Sequence, residues 1–364
     1  MARIELDHVS KRYGDVVGVR DVTVTIEDNE FFCFFGPPSS GKTTLLRLIL
    51  GLETPDRGVV RIDGMVVNHL APAERNLSMV FQNLALFPHM TARENLRFPL
   101  AERRVPAAQI VSRLDAIAEK LHISHILHKR PVHLSGGERQ RVAIGRALMR
   151  DAACYLMDDP ISALDARLRE ETRVELKRLQ REIGHTLIYV THDQEEAMSV
   201  ADRMAILEAG SIRQIDTPQT IYDAPNCRYV AALIGAPSMN FIPGAIVADR
   251  FQADGLAWTL PVSSATGPVS AQIEIAFRPE DATLARGGAG EGLNGAVLSV
   301  EPLGAFTVVV VACGSYTVKA MLTGQPKFSI GEPVAIAVAP RRRLFFDRTD
   351  GRRVGAEARI AEAV

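Results

Sequence analysis

Three short stretches of this chain carry residue types that could do chemistry on a phosphate anhydride. The first, Gly36-Pro37-Pro38-Ser39-Ser40-Gly41-Lys42-Thr43-Thr44, satisfies the pattern G-x-x-x-x-G-K-[ST]. Its glycines let consecutive backbone N–H groups wrap around β- and γ-phosphates. A helix opening directly afterwards turns the positive end of its dipole toward the same anions. Lys42 would place a positive charge on the β/γ-phosphates, and the Thr43 hydroxyl is a hard oxygen ligand suited to Mg2+. By average composition, a chance match in a chain this long arises about once in a hundred. The apolar run Phe31 to Phe35 before it and the apolar stretch to Leu50 after it supply the strand–loop–helix setting that the pattern needs.

The second stretch is Cys154-Tyr155-Leu156-Met157-Asp158-Asp159, an apolar run ending in two carboxylates. On a strand neighbouring the loop strand, Asp158 would be aimed at Mg2+, directly or through water, and Asp159 would stand where an attacking water can be oriented. Alone, the same run is also how a strand enters a turn at Pro160; the phosphate loop is what gives the pair meaning. The third stretch is Leu134-Ser135-Gly136-Gly137-Glu138-Arg139-Gln140-Arg141. Ser135 and Glu138 form an S-x-x-E capping box that opens a helix running through Ala147. Two glycines just inside that cap cost helix stability, which a ligand approaching the backbone explains better than a plain cap does.

These residues need a scaffold, and the pattern along the chain predicts one. Residues 4 to 26 alternate apolar and polar, as antiparallel strands do. Asp56-Arg57-Gly58 reads as a turn before a short strand to Ile62. Residues 91 to 128 have helical spacing. Ala153 to Met157 and Thr186 to Val190 read as buried strands, each leading to acidic or His residues and then a helix. Strands alternating with helices predict an α/β domain with a largely parallel sheet. The texture changes at Gly235-Ala236-Pro237-Ser238. Beyond it lie β-type segments at Ile273–Phe277, Gly295–Val300, Phe306–Ala312, Tyr316–Met321 and Val334–Val338, which predict a small all-β, barrel-like domain. The expected division is therefore 1–235, with a helical subdomain at about 83–135, then 236–353 and a loose tail at 354–364.

Bulk properties narrow the partners. Of 364 residues, 47% are hydrophobic and 23% charged, and 42 Lys plus Arg against 43 Asp plus Glu give a net charge of -1. That balance exerts no bulk pull on nucleic acid or acidic lipid. Cys33, Cys154, Cys227 and Cys313 are widely spaced and form no CxxC pair, as expected of reduced, buried thiols. The N-terminus is too polar for a secretory signal, and no apolar stretch is long enough to span a bilayer.

Beside a phosphate loop, the stretch 134–141 is similar to the signature sequence of ABC ATPases. The resemblance implies an α/β P-loop NTPase of the ABC type, with antiparallel β and helical subdomains, in which the Ser135, Gly136 and Gly137 segment of one subunit binds the γ-phosphate held by another. A dimer sandwiching two ATP molecules with Mg2+ follows. Within that family pattern Tyr13 occupies the position that stacks on adenine, and Gln82 matches the glutamine that senses Mg2+ and the γ-phosphate. Ser162-Ala163-Leu164-Asp165 matches the loop facing the partner, and His192 the switch histidine. Taken singly, Tyr13 or His192 would more often be ordinary packing or surface residues. The stretch from Gln82 through Phe87-Pro88 to Thr91 resembles import ATPases of the maltose-transporter type. Ser238–Gly244 and Phe277-Arg278-Pro279-Glu280-Asp281 resemble elements of their small OB-like regulatory barrel.

The implied function is to hydrolyse ATP for an importer of a sugar, polyol or related small solute, at the cytoplasmic face of the inner membrane. The implied partners are a second ATPase subunit (homodimer favoured), two integral permease subunits and, indirectly, an external solute-binding protein. A soluble ABC ATPase of translation or DNA repair and a regulatory binding module are the competing readings. The chain departs from the family at Asp159, where Glu is usual, so its carboxylate sits one methylene short. Either Asp159 still works in a slow homodimer, or this subunit pairs with an ATPase chain that carries Glu.

Overall fold

In a computed structural model, residues 2–162, 164–247, 250–261, 272–287 and 292–354 are described. The chain divides into two compact units, Met1–Gln219 and Thr220–Val364.

The first unit runs β1 (Ile4–Tyr13), β2 (Val16–Ile26), β3 (Phe31–Phe35), α1 (Lys42–Leu50), β4 (Arg57–Ile62), β5 (Met65–Val66), β6 (Leu77–Val80), α2 (Ala92–Ala101), α3 (Ala107–Lys120), α4 (Gly136–Leu148), β7 (Cys154–Asp158), α5 (Ala166–Ile183), β8 (Thr186–Thr191), α6 (Gln194–Val200), β9 (Arg203–Glu208) and β10 (Ser211–Asp216). One sheet has the order β10-β9-β3-β8-β7-β6. Its ladders from β9 to β6 are parallel, and β10 pairs antiparallel at the edge. β3, β7 and β8 are buried along their whole length. Strands covered on both faces must be apolar throughout, which is why Phe-Phe-Cys-Phe-Phe shows no alternation. A second, antiparallel sheet, β2-β1-β4-β5, is covered on one face only and does alternate.

A single apolar cluster joins the two sheets through α1: Leu6 and Val24 from one, Phe32 and Val190 from the other, and Leu45, Leu46 and Ile49 between them. The expected turn at 56–58 is shorter than predicted, because Arg57 pairs with Ser10 and is already part of β4. α2 and α3 lie within residues 83–135. Among the described residues, no helix is long and apolar enough to cross a membrane.

The second unit contains α7 (Pro218–Asp223, its first two residues before the division), α8 (Arg228–Leu233), β11 (Asn240–Val247), β12 (Arg250–Ala253), β13 (Thr259–Pro261), β14 (Ile273–Phe277), β15 (Ala282–Arg286), β16 (Leu293–Pro302), β17 (Phe306–Cys313), β18 (Tyr316–Thr323), β19 (Pro333–Val338) and β20 (Leu344–Asp347). The strands form two antiparallel sheets, β13-β12-β11-β14-β20 and β15-β19-β16-β17-β18, around one core that includes Phe251, Ile275, Val309 and Ile336. The unit begins ahead of Gly235, where the change of texture predicted it. Ala231 of α8 packs with Met239, Ala276, Leu344 and Phe346, so these helices belong to the β unit although their sequence is helical. The expected tail beyond Val354 lies outside the described residues.

Candidate functional site

β3 delivers the chain into the Gly36–Thr44 loop, and α1 takes it away. Gly41 is the helix N-cap at φ 103°, and a Cβ there would lie 2.6 Å from the Gly18 carbonyl oxygen. Only glycine suits both constraints. The Lys42 ammonium donates to the Gly36 and Pro37 carbonyls, each at 2.8 Å, and stands 3.4 Å from Ser40 Oγ. Burial lowers its proton affinity, while Asp159 and Asp158 act in the opposite direction.

Parallel pairing of β7 with β8, and of β8 with β3, brings the carboxylates to this loop. Thr43 Oγ1 donates to Asp158 Oδ1 at 3.0 Å. Burial pushes the Asp158 carboxyl up, partly offset by that hydrogen bond. Asp159 has φ 49°, in a left-handed region that Asp tolerates better than most residues. Its N–H donates to the Val190 carbonyl at 2.9 Å, and Ser162 Oγ donates to its carbonyl at 3.1 Å. Asp159 Oδ2 is 3.1 Å from His192 Nδ1, while Oδ1 is buried without a hydrogen-bond partner. The arrangement thus joins Thr43 to Asp158 and Asp159 to His192 beside Lys42. Two hard oxygens, Thr43 Oγ1 and Asp158 Oδ1, suit a small divalent cation. Mg2+ is usually held by one or two protein oxygens plus substrate phosphates.

Gln82 and Tyr13 stand apart from these hydrogen bonds. Gln82 is exposed in the turn after β6. The following Leu84 and Ala85 both have positive φ, and Arg146 of α4 donates to their carbonyls at 2.9 and 2.6 Å. Tyr13 is 41% exposed at the end of β1, open to a stacking partner. A Cβ on Gly18 would touch the Tyr13 ring at 2.9 Å and the Thr44 methyl at 3.2 Å, which locates Tyr13 beside the start of α1.

At the head of α4 the capping box forms in both directions: Glu138 N–H donates to Ser135 Oγ at 3.2 Å and Ser135 N–H to Glu138 Oε2 at 2.6 Å. The two glycines behind it are not imposed by packing. A Cβ at Gly136 would meet Leu164 at 3.5 Å and one at Gly137 would meet Leu168 at 3.4 Å, which are ordinary contacts. Gly137→Ala should therefore leave the thermal midpoint unchanged or slightly raised, since Ala favours a helix by up to about 1 kcal/mol over Gly. ATP turnover should nonetheless fall by about tenfold or more if a γ-phosphate must reach that backbone. A variant with lowered stability and proportionately lowered turnover would return the glycine to a packing role.

Sequence reasoning missed the support beneath His192. Glu196, 1% exposed, accepts from Tyr189 OH at 2.9 Å and Thr191 Oγ1 at 2.7 Å. Asp193 caps α6 by accepting from Glu196 N–H at 3.1 Å. The available signal was the hydroxyl side chains of Tyr189 and Thr191 near the end of a buried strand.

Comparison with known proteins agrees with this geometry. Residues 19–162 match the ABC transporter family and residues 275–346 the TOBE domain family. The sulfoquinovosyl glycerol transport ATP-binding protein of Agrobacterium fabrum is 41% identical over 97% of this chain and 100% of its own length. The sn-glycerol-3-phosphate import ATP-binding protein of Rhizobium meliloti is 43% identical over 95% and 94%. The trehalose/maltose import ATP-binding protein of Thermococcus litoralis is 39% identical over 97% and 100%. Among solved structures, a dimeric ATP-binding cassette in a post-hydrolysis state, bound to ADP and Pi, is 31% identical and superposes with a TM-score of 0.54, covering 59% of this chain and 98% of that one. With a nucleotide-binding cassette and an OB-like all-β TOBE domain on one chain, and relatives that match it from end to end, this protein belongs to the import ATP-binding proteins of the ABC transporter family.

Proposed function

We propose that this ATPase subunit drives uptake of a sugar, polyol or related glycerol-type solute, with Lys42 and the Gly36–Thr44 loop holding the ATP phosphates and Tyr13 the adenine. The observation that carries this reading is the joined set Thr43–Asp158 and Asp159–His192 beside Lys42. Thr43 and Asp158, with Gln82, would hold Mg2+, which would supply positive charge against the phosphate oxygens. Asp159 orients the attacking water by accepting its hydrogen bond, and His192 holds Asp159 from the other side. Water adds to the γ-phosphorus as its bond to the ADP oxygen breaks, giving ADP and inorganic phosphate. Ser135, Gly136 and Gly137 of a second copy complete the site, a reading supported by capping-box glycines that packing does not require.

The uptake reading is supported by the names of the relatives, each an ATP-binding protein of transport or import. That leaves a translation or repair ATPase without an observation in its favour. In this arrangement the chain sits peripherally at the cytoplasmic side, as a homodimer on two permease subunits that receive solute from an external binding protein. Reconstituted with its permeases in liposomes, the protein should show ATPase activity stimulated by about tenfold or more by a sugar or glycerol-type solute presented with its binding protein, through population of a closed, competent state. Stimulation by none of a panel of sugars, polyols and glycerol phosphodiesters would overturn the solute class. Failure to co-purify with any integral membrane protein would overturn the transport role.

A further inference from the structure

Along α5, Arg169, Arg173 and Lys177 recur at every fourth residue and pair with Asp193, Glu195 and Asp202 at 3.3, 3.3 and 2.6 Å. The last two pairs are open to water, with Glu195 82% and Asp202 49% exposed, and such surface pairs contribute little. Arg169 is different. Its Nη2 donates to the carbonyls of Ser162 at 3.3 Å and Leu164 at 3.1 Å, and its Nη1 to Asp193 Oδ2 at 3.3 Å. Its Nε faces Glu196 Oε1 at 3.8 Å, and both of those atoms are buried with no hydrogen-bond partner.

Two complementary buried groups left unjoined are costly, and a movement of about 0.9 Å would bring them to ordinary hydrogen-bond distance. The other oxygen of Glu196 is held by Thr191, the residue before His192, and His192 in turn meets Asp159. One guanidinium therefore touches both the loop after Asp159 and the carboxylate that anchors the switch segment.

We propose that Arg169 is a positioning residue that couples these two loops: pressure of a second subunit on the backbone at Ser162 and Leu164 moves the guanidinium onto Glu196 and so holds His192 in its contact with Asp159. The proposal rests on the two-subunit reading above. Among the described residues Arg169 makes no hydrogen bond to the phosphate loop, Asp158 or the Asp159 side chain, so its effect belongs on turnover rather than on ATP binding.

The test uses the full chain and measures kcat and KM for ATP, the thermal midpoint, and ATP-dependent dimer formation in an Asp159→Asn background. Arg169→Met should lower kcat about tenfold or more with KM within about twofold, since misplacement of roughly an ångström has effects of that size or larger. Arg169→Lys, which keeps the charge but loses the fork, should recover part of the rate. Glu196→Gln, which removes the charge with little change of shape, should lower kcat to a similar extent. The Arg169→Met/Glu196→Gln chain should be no slower than either single variant, because residues acting in one path are not additive. Dimer formation with ATP should survive Arg169→Met. Parent-like kcat in Arg169→Met or Glu196→Gln, additive losses in the double variant, or losses that follow the thermal midpoint would each overturn the coupling while leaving the two-subunit site intact. Absence of an ATP-dependent dimer in the Asp159→Asn chain that still carries Arg169 would take down the two-subunit site and the coupling with it.

Discussion

Replacing Asp159 with Asn is expected to stop ATP turnover, lowering kcat by a factor of about 100 or more while leaving ATP affinity within about twofold. A positioned base or orienting carboxylate contributes effects of this size, and an amide of the same shape cannot accept a proton. Asp159 Oδ2 engages His192 at 3.1 Å while Oδ1 is buried and has no partner among the described residues, so one oxygen remains for the water. Because the residue acts on the transition state, the blocked protein should accumulate as the ATP-bound dimer, detectable by light scattering or size exclusion at saturating ATP. The reach of the side chain is tested separately by Asp159→Glu. Asp159 has a left-handed backbone and its short carboxylate meets His192; a further methylene should raise kcat by roughly severalfold with little change in KM. Undiminished hydrolysis by Asp159→Asn would remove Asp159 from the chemistry altogether.

The second large effect is expected at Lys42. Lys42→Ala should lower kcat/KM by about a thousandfold or more, equivalent to roughly 4 kcal/mol of lost transition-state stabilisation. Lys42 is 8% exposed, and its ammonium is bonded to the Gly36 and Pro37 carbonyls. Its removal therefore takes away both the charge meant for the phosphates and the clasp that holds the loop's own carbonyls. ATP binding should weaken as well, which separates this variant from Asp159→Asn. Mixing Lys42→Ala subunits with Ser135→Arg subunits should leave mixed dimers with at most one intact composite site. Residual activity in the mixture, absent from either variant alone, is the expected sign of sites shared between subunits. Parent-like turnover in Lys42→Ala would refute the loop assignment.

Where residues act through their type and order, the sequence pointed to the candidate site. The glycine-lysine loop, the carboxylate pair and the capping box were all legible, because each has a local physical requirement that few other residues meet. β3, β7 and β8 were legible as unbroken apolar runs, and the structure adds that parallel pairing brings their ends together. What was not legible depends on packing between distant segments. α7 and α8 read as the end of the first domain, yet Ala231 packs with Ala276 and Phe346. β12 and β13, with four and three residues, are too short for alternation to register. β11 contains Pro243 and Gly244, residue types that weaken strands, although its ladder to β14 continues through both. Arg169 carries no motif in the sequence; its place appears only when the Ser162 and Leu164 carbonyls are seen against it.

The central strand also sets a timetable. β3 lies between β8 and β9, with Phe31 opposite Leu187 and Phe32 opposite Arg203. A chain made from its N-terminus therefore carries Phe-Phe-Cys-Phe-Phe for more than 150 residues of further synthesis before either neighbour exists. At 5–20 residues per second that interval is roughly ten to thirty seconds, far longer than a strand takes to find a wrong partner. During it, a five-residue segment of strong β tendency, no charge and no proline stands without its ladder, the composition that favours cross-strand aggregation. The same burial that fixes the nucleotide loop in the finished protein makes its strand a vulnerable segment of the nascent one, and production of this subunit is expected to depend on holdases until residue 208 has left the ribosome.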